Sequence, residues 1–555
     1  MNETIRKYAL KNAHEHGKAI LGAVMPKVIG ELPESKKDIK GLIKRINEVI
    51  TQVNKLSPEN ILNELMSQAP ELLEKKEEIK GLKELPGIKG KVVMRFAPFP
   101  SGPLHIGNAL PAVLNDEYAK KYKGKLILVI DDTIGSEAKP IDKAAYRLIP
   151  QGLKWLGVKF DPTIIYKSDR MELFYKYAAS LIDKGAAYVC ECPTELIRDY
   201  RAKSKECLHR NNTVSENKRL WKKMLSGGYD EGEACVRIKT DLKHKNPAFR
   251  DRVLLRISKR AHPKTGIKYC VWPMLEFSWA VDDHLLGITH ILRGKDLYIE
   301  DEMERLIWGI LGWKEPVIVH SSLVSVEGVK ISKSKSSREV KSGEYTGWDD
   351  PRTWSLQSLK RRGIKPEAVR QFVLDIGLTE NEVKVPVDKL YTINRRLIDA
   401  ASLRYFFVKD PVKLLVSGCP EKKAVIPLHH VINKSRSYVI EKGVNTFWIS
   451  ESDVELLKNE CQVRLKDSMN IEVKSVGKEI RAVYAKDQDE VYKIRKVQFV
   501  TKSNHECSVL KPDGLIDKGL CEDYASKVKE GEIIQFERYG FVRKEGKGKY
   551  IYTHD

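Results

Sequence analysis

The chain has 555 residues, a mass of 63.4 kDa and a formal net charge of +22 at pH 7. It contains no apolar run of the about 18–20 residues that a membrane span needs and no signal-peptide core, so we expect a cytoplasmic protein without a membrane partner. The excess of 98 Lys and Arg over 76 Asp and Glu indicates a polyanionic partner such as nucleic acid, with a generally basic surface as the alternative. The nine scattered cysteines do not indicate a disulfide framework.

The length provides for about three to five domains. The first segment, residues 1–89, is predicted to be a helical extension, because Ile39, Leu42 and Ile46 recur there at helical spacing. This apolar stripe indicates packing against neighbouring helices rather than a cofactor site.

Strand and helix patterns alternate from about residue 90. The run Leu126-Ile-Leu-Val-Ile130 is typical of a strand buried on both faces of a parallel sheet, and helical patterns follow at 142–156 and 170–184. Clustered cysteines and a mixed pattern then interrupt the alternation and indicate an inserted domain. The predicted segments are 90–185 and 276–334 for the two halves of the α/β domain and 186–275 for the insertion.

The pattern changes again in the last part of the chain. Residues 335–410 are predicted to form a helical linker. Residues 411–555 take the alternating period of strands, as in Met469-Asn-Ile-Glu-Val473, and predict a β-barrel region. The basic runs Lys360-Arg-Arg362 and Arg395-Arg396 suit contacts to a phosphate backbone, with solvated faces as the alternative.

The strongest functional signal is the stretch Arg95-Phe-Ala-Pro-Phe-Pro-Ser-Gly-Pro-Leu-His-Ile-Gly-Asn108. An apolar strand enters a loop rich in proline and glycine, and His105-Ile-Gly-Asn108 then opens a helical pattern. Glycines let the backbone approach phosphates, while the helix start and the imidazole supply positive potential and hydrogen-bond donors. The stretch therefore predicts a nucleotide site, with a purely structural histidine as the alternative.

A second basic element, Lys330-Ile-Ser-Lys-Ser334, follows at the far end of the α/β domain. Two lysines on a serine-rich loop suit a clamp that follows charge onto a leaving pyrophosphate. The alternative is a solvated basic loop. The order and placement of the two elements favour the clamp.

The two elements resemble the H-I-G-H and K-M-S-K-S motifs of class I aminoacyl-tRNA synthetases. Further stretches resemble the glutamyl- and glutaminyl-tRNA synthetase group, and specifically its archaeal-type glutamyl enzymes; they are Arg95-Phe-Ala-Pro, Asp131-Asp132-Thr133 and Val281-Asp-Asp-His-Leu-Leu-Gly-Ile-Thr-His-Ile-Leu-Arg293-Gly-Lys-Asp296. The resemblance covers nearly the whole chain. It implies a Rossmann-type α/β catalytic domain with an inserted α/β acceptor-binding domain, a helical N-terminal extension and linker, and a C-terminal all-β barrel anticodon-binding module.

The resemblance implies an ATP-dependent ligase that forms glutamyl-adenylate and transfers glutamate to tRNA-Glu, with tRNA-Gln open as a second acceptor. The amino-acid carboxylate is itself the nucleophile, so catalysis consists of positioning and charge stabilisation, and Mg²⁺ accompanies ATP. The implied catalytic residues are His105, Asn108, Lys330 and Lys333. The implied ATP-binding residues are Pro98, Gly102, His105, Gly107, Asn108, Lys330, Ser332 and Lys333.

By the same likeness, Asp131 would hold the α-ammonium group of L-glutamate, and Arg95 and Arg293 would reach its side chain. Guanidinium suits this role because it pairs bidentately with a carboxylate. Arg293 is the single residue that most favours glutamate over glutamine; the alternative for it is a structural salt bridge with Asp296 or Asp282. The implied glutamate-binding residues are Arg95, Asp131, Leu275 and Arg293.

The insertion carries two short pairs of metal-ligand residue types, Cys190-Glu-Cys192 and Cys207-Leu-His209. Three thiolates and an imidazole can close a tetrahedral structural Zn²⁺ site. Similar clusters recur in the corresponding insertion of archaeal relatives. The alternative is a group of reduced, unliganded thiols.

Four positions depart from the family pattern. Asn108 replaces the second His, Phe99 a small or polar residue, and Val129 an arginine, while Leu275 stands where bacterial and glutaminyl relatives place a tyrosine. A glutaminyl-tRNA synthetase, which Arg293 opposes, stays open as an alternative. So do a synthetase-derived tRNA-binding protein with reduced or no catalysis and a nucleotidyltransferase that shares only the fold.

Overall fold

The computed structural model describes residues 2–69, 82–134, 140–321, 324–329, 333–486 and 494–555, without the side chains at positions 36, 37, 333 and 334. The chain divides into two compact units, residues 1–81 and 82–555. None of the described helices is both long enough and apolar enough to cross a membrane.

In the first unit, as far as residue 69, four α-helices surround a small apolar core. Leu10, Ile46 and Leu65 are fully buried in it. The side chains of Asp38 and Ser57 cap two of the helices by accepting hydrogen bonds from backbone N–H groups of the first turn. The helices are α1 (Asn2–His16), α2 (Leu21–Glu31), α3 (Ile39–Val53) and α4 (Pro58–Gln68).

The second unit begins with an alternation of strands and helices. These elements are β1 (Val93–Phe96), α5 (Ile106–Lys121), β2 (Lys125–Ile130), α6 (Ala145–Trp155), β3 (Ile165–Tyr166) and α7 (Met171–Asp183). A four-stranded antiparallel sheet with two helices follows. Its elements are β4 (Ala187–Cys190), α8 (Thr194–Ala202), α9 (Val214–Leu225), β5 (Cys235–Ile238), β6 (Val253–Ile257) and β7 (Val271–Pro273).

The chain then returns to the first sheet through α10 (Leu275–Leu285), β8 (His290–Gly294), α11 (Tyr298–Leu311) and β9 (Val317–Ser321). The sheet has the strand order β3-β2-β1-β8-β9, and every pair is parallel. Leu128 packs in the core under α5 and α6, whereas the next residue, Val129, packs in the opposite core with α7, α10 and α11. Both faces are covered by helices, so the prediction of a parallel α/β sheet is confirmed.

A mostly helical region follows the sheet. It contains β10 (Val324–Glu327), α12 (Lys333–Ser342), α13 (Leu356–Arg361), α14 (Pro366–Ile376), β11 (Val383–Pro386) and α15 (Val387–Ile398). Arg362 lies at its centre and is fully buried. Its Nη2 donates to the Thr553 carbonyl at 2.8 Å, so the predicted phosphate contact is wrong for this arginine.

The described residues of the C-terminal part contain three sheets and one α-helix. One has six strands, one has seven and one is a two-stranded hairpin, in the orders β17-β14-β20-β19-β18-β21, β12-β24-β25-β26-β22-β23-β13 and β15-β16. The elements are β12 (Arg404–Tyr405), β13 (Phe407–Lys409), β14 (Pro411–Cys419), β15 (Lys422–Pro427), β16 (Ser435–Ile440), β17 (Gly443–Ser450), α16 (Glu451–Asn459), β18 (Gln462–Leu465), β19 (Met469–Val476), β20 (Ile480–Ala485), β21 (Lys496–Val497), β22 (Asn504–Leu510), β23 (Ile516–Glu522), β24 (Ile533–Phe536), β25 (Gly540–Gly546) and β26 (Lys549–His554).

A disulfide joins Cys507 on β22 to Cys521 on β23. The two strands are antiparallel neighbours, which brings residues separated by 14 positions side by side. This single pair was not predicted from the sequence, and the other seven cysteines are free, as expected of a chain without a disulfide framework. The domain boundaries predicted above stay predictions.

Candidate active site

The predicted nucleotide residues of the first motif, from Pro98 to Asn108, lie between the end of β1 and the first turn of α5. His105 is the N-cap of α5: its Nδ1 accepts a hydrogen bond from the Gly107 N–H at 3.1 Å. The Asn108 Oδ1 accepts from the His105 backbone N–H at 3.2 Å. The two side chains thus form a reciprocal capping box, which satisfies donors that a helix start leaves unpaired.

Two glycines make this geometry possible. A Cβ on Gly107 would lie 3.0 Å from Cε1 of His105, so a larger residue would press on the folded-back imidazole. Gly102 has a φ of +149°, and a Cβ there would lie 2.9 Å from the Trp348 ring. The loop before α5 is therefore tightly fitted against its neighbours.

The cap also indicates the tautomer that a neutral imidazole takes here. Because Nδ1 accepts a backbone hydrogen bond, the neutral ring carries its proton on Nε2. The amide nitrogen of Asn108 makes no hydrogen bond within the described part of the chain. The start of α5 therefore places the side chains of His105 and Asn108 at the positive end of a helix, which suits a phosphate group.

Arg95 lies on β1 and is almost completely buried. Its Nε and Nη2 donate to the two carboxylate oxygens of Asp283 at 2.6 and 2.9 Å. Its other terminal nitrogen, Nη1, makes no hydrogen bond to any residue that the structure describes. One donor of this guanidinium is therefore available to a ligand.

Arg293, at the end of β8, is paired more completely. Its Nη1 and Nη2 each donate to a Glu304 oxygen at 2.8 Å. The Nη2 also lies 2.5 Å from Asp301 Oδ1, close enough for an ion pair although the angle is not that of a hydrogen bond. The salt bridge considered as an alternative role thus exists, but with Glu304 and Asp301 rather than with Asp296 or Asp282.

Trp279 on α10 connects the predicted glutamate-binding residues. Its Nε1 donates to Asp131 Oδ2 at 3.0 Å. The guanidinium carbons of Arg95 and Arg293 lie 4.7 and 5.3 Å from the centre of its ring. Both guanidinium groups are attracted by the negative face of the ring. The indole N–H orients the carboxylate of Asp131.

Asp131 follows β2 and is buried together with Lys167, whose Nζ lies 3.2 Å from it. Thr133 Oγ1 donates to the other carboxylate oxygen at 3.1 Å. The neighbouring Asp132 instead accepts from the Ser168 backbone N–H at 2.8 Å and from its hydroxyl at 2.7 Å. The two consecutive carboxylates therefore differ: Asp132 joins two loops, whereas Asp131 faces the arginine cluster.

Burial dominates the electrostatics of this cluster. It raises the pKa of Glu304, against the opposing effect of Arg293. It also raises the pKa of Asp282, which pairs with Arg170 at 2.6 Å. The cations here are balanced by internal carboxylates, which is how charged groups are accommodated in a dry interior.

The remaining predicted residues lie in different surroundings. Leu275 is the half-buried first residue of α10, one helical turn before Trp279. Pro98 supplies the carbonyl that accepts from the Asp131 N–H at 3.1 Å. Val129 is buried in the apolar core between sheet and helices. Lys330 and Ser332 lie outside the described residues, and of Lys333 only the backbone, at the start of α12, is described.

The four predicted metal ligands lie together. The donor atoms of Cys190, Cys192, Cys207 and His209 are all within 4.8 Å of one another. The sulfurs of Cys190 and Cys207 are 3.7 Å apart, and Cys192 Sγ is 3.4 Å from His209 Nδ1. Thiolates bound to tetrahedral Zn²⁺ at about 2.3 Å lie roughly 3.8 Å apart, so these separations fit zinc.

Arg237 adds a positive charge to the thiol cluster. It is buried, and its Nη1 lies 3.6 Å from Cys207 Sγ and 3.8 Å from Cys190 Sγ. Without a metal, the hydrogen bond with Cys190 and then burial raise the pKa of Cys207 to about 12. Zn²⁺ with three thiolates and a neutral imidazole carries one net negative charge, which Arg237 would balance.

Comparison with known proteins identifies the family. Residues 91–400 match the catalytic domain described as "tRNA synthetases class I (E and Q)", and residues 402–487 and 479–545 match anti-codon binding domains of the same class. A glutamate--tRNA ligase of Pyrococcus abyssi is 46% identical, over 97% of this chain and 96% of that protein. One of Methanopyrus kandleri is 40% identical, over 100% and 99%.

The chain belongs to the glutamate--tRNA ligases, within the class I tRNA synthetases. The predicted family and fold class are thereby confirmed. In this synthetase, the sequence analysis missed Trp279 and the carboxylates of Asp283, Asp301 and Glu304. A signal for two of them existed, because Trp279 and Asp283 follow Leu275 at successive intervals of four residues and share one face of α10.

Proposed function

We propose that the chain activates L-glutamate with ATP at the carboxyl edge of β1 and β2 and transfers it to tRNA-Glu. The observation that carries the proposal is that one site has a nucleotide end, at the start of α5, and an amino-acid end, around Arg95 and Asp131. The positive end of α5, with the side chains of His105 and Asn108, suits phosphate, and a buried Arg95–Asp131–Trp279 group offers both charges that an amino acid needs. The relatives that are named glutamate--tRNA ligases support glutamate as the substrate.

ATP, entering with Mg²⁺, would bind along the loop from Pro98 to Asn108. The α-carboxylate of glutamate attacks the α-phosphate, an oxygen–phosphorus bond forms, and the bond to pyrophosphate breaks. The Nε2–H of His105 and the amide of Asn108 would donate to phosphate oxygens, with Gly102 and Gly107 keeping the loop close. Lys330, Ser332 and Lys333 would stabilise the departing pyrophosphate.

L-glutamate would lie against the arginine cluster. Asp131 would accept from the α-ammonium group, and Arg95 would donate its Nη1 to the side-chain carboxylate. Arg293 would also reach the side-chain carboxylate, and Leu275 would form an apolar wall. Both charged ends of the amino acid would thus be fixed before it meets ATP, which is the main source of rate in such a reaction.

The second step would transfer glutamate to the 3' end of tRNA, with tRNA-Gln as a second candidate acceptor. The family likeness adds that activation requires bound tRNA. The net charge of +22 supports a polyanionic partner. The reaction would take place in the cytoplasm, where tRNA is charged.

We further propose that Cys190, Cys192, Cys207 and His209 hold a structural Zn²⁺. The fit of the donor separations and the counter-charge of Arg237 support it. All four ligands come from the protein, so the metal would brace the insertion and take no part in the chemistry.

The test is tRNA charging by the full chain with labelled glutamate and labelled glutamine in parallel, using tRNA-Glu and tRNA-Gln. We expect ATP-dependent labelling of tRNA-Glu with glutamate. Labelling with glutamine alone would favour a glutaminyl enzyme, and no labelling with either would favour a tRNA-binding protein without catalysis.

A further inference from the structure

Both terminal nitrogens of Arg293 are occupied by protein carboxylates. Glu304 takes them end-on through two hydrogen bonds of 2.8 Å, and Asp301 lies 2.5 Å from Nη2. The remaining donor, Nε, is buried and without a partner in the described part of the molecule. A substrate carboxylate that binds a guanidinium end-on needs the same two terminal nitrogens.

We propose that Glu304 is a specificity-determining residue that competes with the substrate side chain for Arg293 and so weakens the preference for glutamate over glutamine. This inference rests on the proposed function. Glu304 touches Arg293 and acts through it.

The charges around Arg293 support this role. Arg95 and Asp283 form one buried pair, Arg293 and Glu304 form a second, and Asp301 adds a further negative charge. A substrate carboxylate therefore enters a site whose cations are already compensated, and it must share or displace Glu304. The carboxamide of glutamine carries no charge and does not compete with Glu304 for Arg293. Its binding is therefore weakened less by the protein carboxylates than the binding of glutamate is.

Glu304 is better placed for this role than Asp301. Its carboxylate is fully buried and matches the fork of the guanidinium through both oxygens. Asp301 contacts two different side chains: Oδ1 lies beside Arg293, and Oδ2 accepts from His320 Nε2 at 2.6 Å. Removing the charge of Glu304 therefore releases more of Arg293 than removing that of Asp301.

The experiment is Glu304→Gln in the full chain, with KM and kcat measured in tRNA charging for glutamate and for glutamine. We expect KM for glutamate to fall about tenfold, while KM for glutamine stays within about twofold, so that the preference for glutamate rises. Glu302→Gln, which removes an exposed charge from the same helix, should leave both values unchanged.

If Glu304 had a purely structural role, the substitution would raise KM for glutamate and for glutamine together, and that result would overturn the inference. An unchanged ratio of the two KM values would overturn it as well. Should Glu304→Gln not fold, Asp301→Asn tests the same competition and should lower KM for glutamate about threefold. If the wild-type chain charges tRNA with glutamate but neither variant has a lower KM for glutamate, this inference alone is overturned. A chain that charges neither amino acid, in the wild type and in both variants, overturns the proposed function and this inference together.

Discussion

The two ends of the candidate site are built differently. At the nucleotide end, the hydrogen bonds join residues that are two or three positions apart in one helix start: the His105 N–H donates to Asn108 Oδ1, and the Gly107 N–H donates to His105 Nδ1. At the amino-acid end, Arg95 pairs with Asp283 across 188 positions, and Arg293 pairs with Glu304 across 11. One end is local and neutral, whereas the other is assembled from distant charges.

The difference predicts how each end responds to mutation. A side chain in the helix cap can be changed for another capping residue without disturbing the core. Removing one member of a buried ion pair leaves an uncompensated charge and costs about 3–5 kcal/mol of folding stability. We therefore expect substitutions at the nucleotide end to alter binding alone, and substitutions at the amino-acid end to alter binding and stability together.

The largest effect should come from His105→Asn. Asparagine is a good N-cap, so the helix start should persist, but the Nε2–H donor to phosphate is lost. We expect kcat/KM for ATP to fall about 100- to 1,000-fold. Thermal unfolding should stay within about 2 °C of the wild type, and a large loss of stability instead would break the separation between binding and folding at this end.

Trp279→Phe should have the next largest effect. Phenylalanine keeps a ring beside Arg95 and Arg293 but cannot donate to Asp131. Since a hydrogen bond to a charged group contributes about 1.5–3 kcal/mol, kcat/KM for glutamate should fall about 10- to 100-fold. The KM for ATP serves as the internal control; if it moved by the same factor, Trp279 would not act through Asp131.

At the nucleotide end, Asn108→Asp provides a sharper test than removal of the side chain. Aspartate keeps an oxygen for the His105 N–H and places a negative charge beside the phosphates. We expect kcat/KM for ATP to fall about tenfold with no loss of stability. Asn108→Gln, which keeps the amide and suits a capping box, should stay near the wild type, and equal losses in both variants would mean that the cap alone matters.

The smallest effect on catalysis should come from the thiol cluster, which belongs to neither end. Purified chain should contain about one zinc ion by elemental analysis, and Cys207→Ser should lose most of it and unfold at lower temperature. Kinetic constants for ATP should change less than about twofold. Cys270→Ser, which changes a cysteine outside the cluster, should keep the metal; equal zinc in both variants would contradict the assignment.

The same contrast explains what could be predicted from the sequence. The strand Leu126 to Ile130 and the cap at His105 depend on neighbours along the chain, so their patterns were sufficient. For Arg293, a structural salt bridge was the alternative to a substrate role, and the partners considered for it were Asp296 and Asp282, which are close in sequence or in the same motif. The actual partners, Glu304 and Asp301, lie on the following helix, α11. The spacing of residues along the chain does not reveal which face of that helix packs against β8.

Two further features could not be predicted for the same reason. Arg362 reads as one of a basic run, yet the docking of the C-terminal strand covers it and supplies carbonyl acceptors. Cys507 and Cys521 become neighbours only through the register of β22 and β23. Contacts set by tertiary docking and strand register were therefore beyond the reach of the sequence pattern.

The most direct test of the account is the exchange of labelled pyrophosphate into ATP by the full chain, with glutamate and tRNA added or withheld. Adenylation of glutamate predicts exchange that requires both, and that disappears in His105→Asn. Exchange in the absence of glutamate, or none with glutamate and tRNA together, would contradict it.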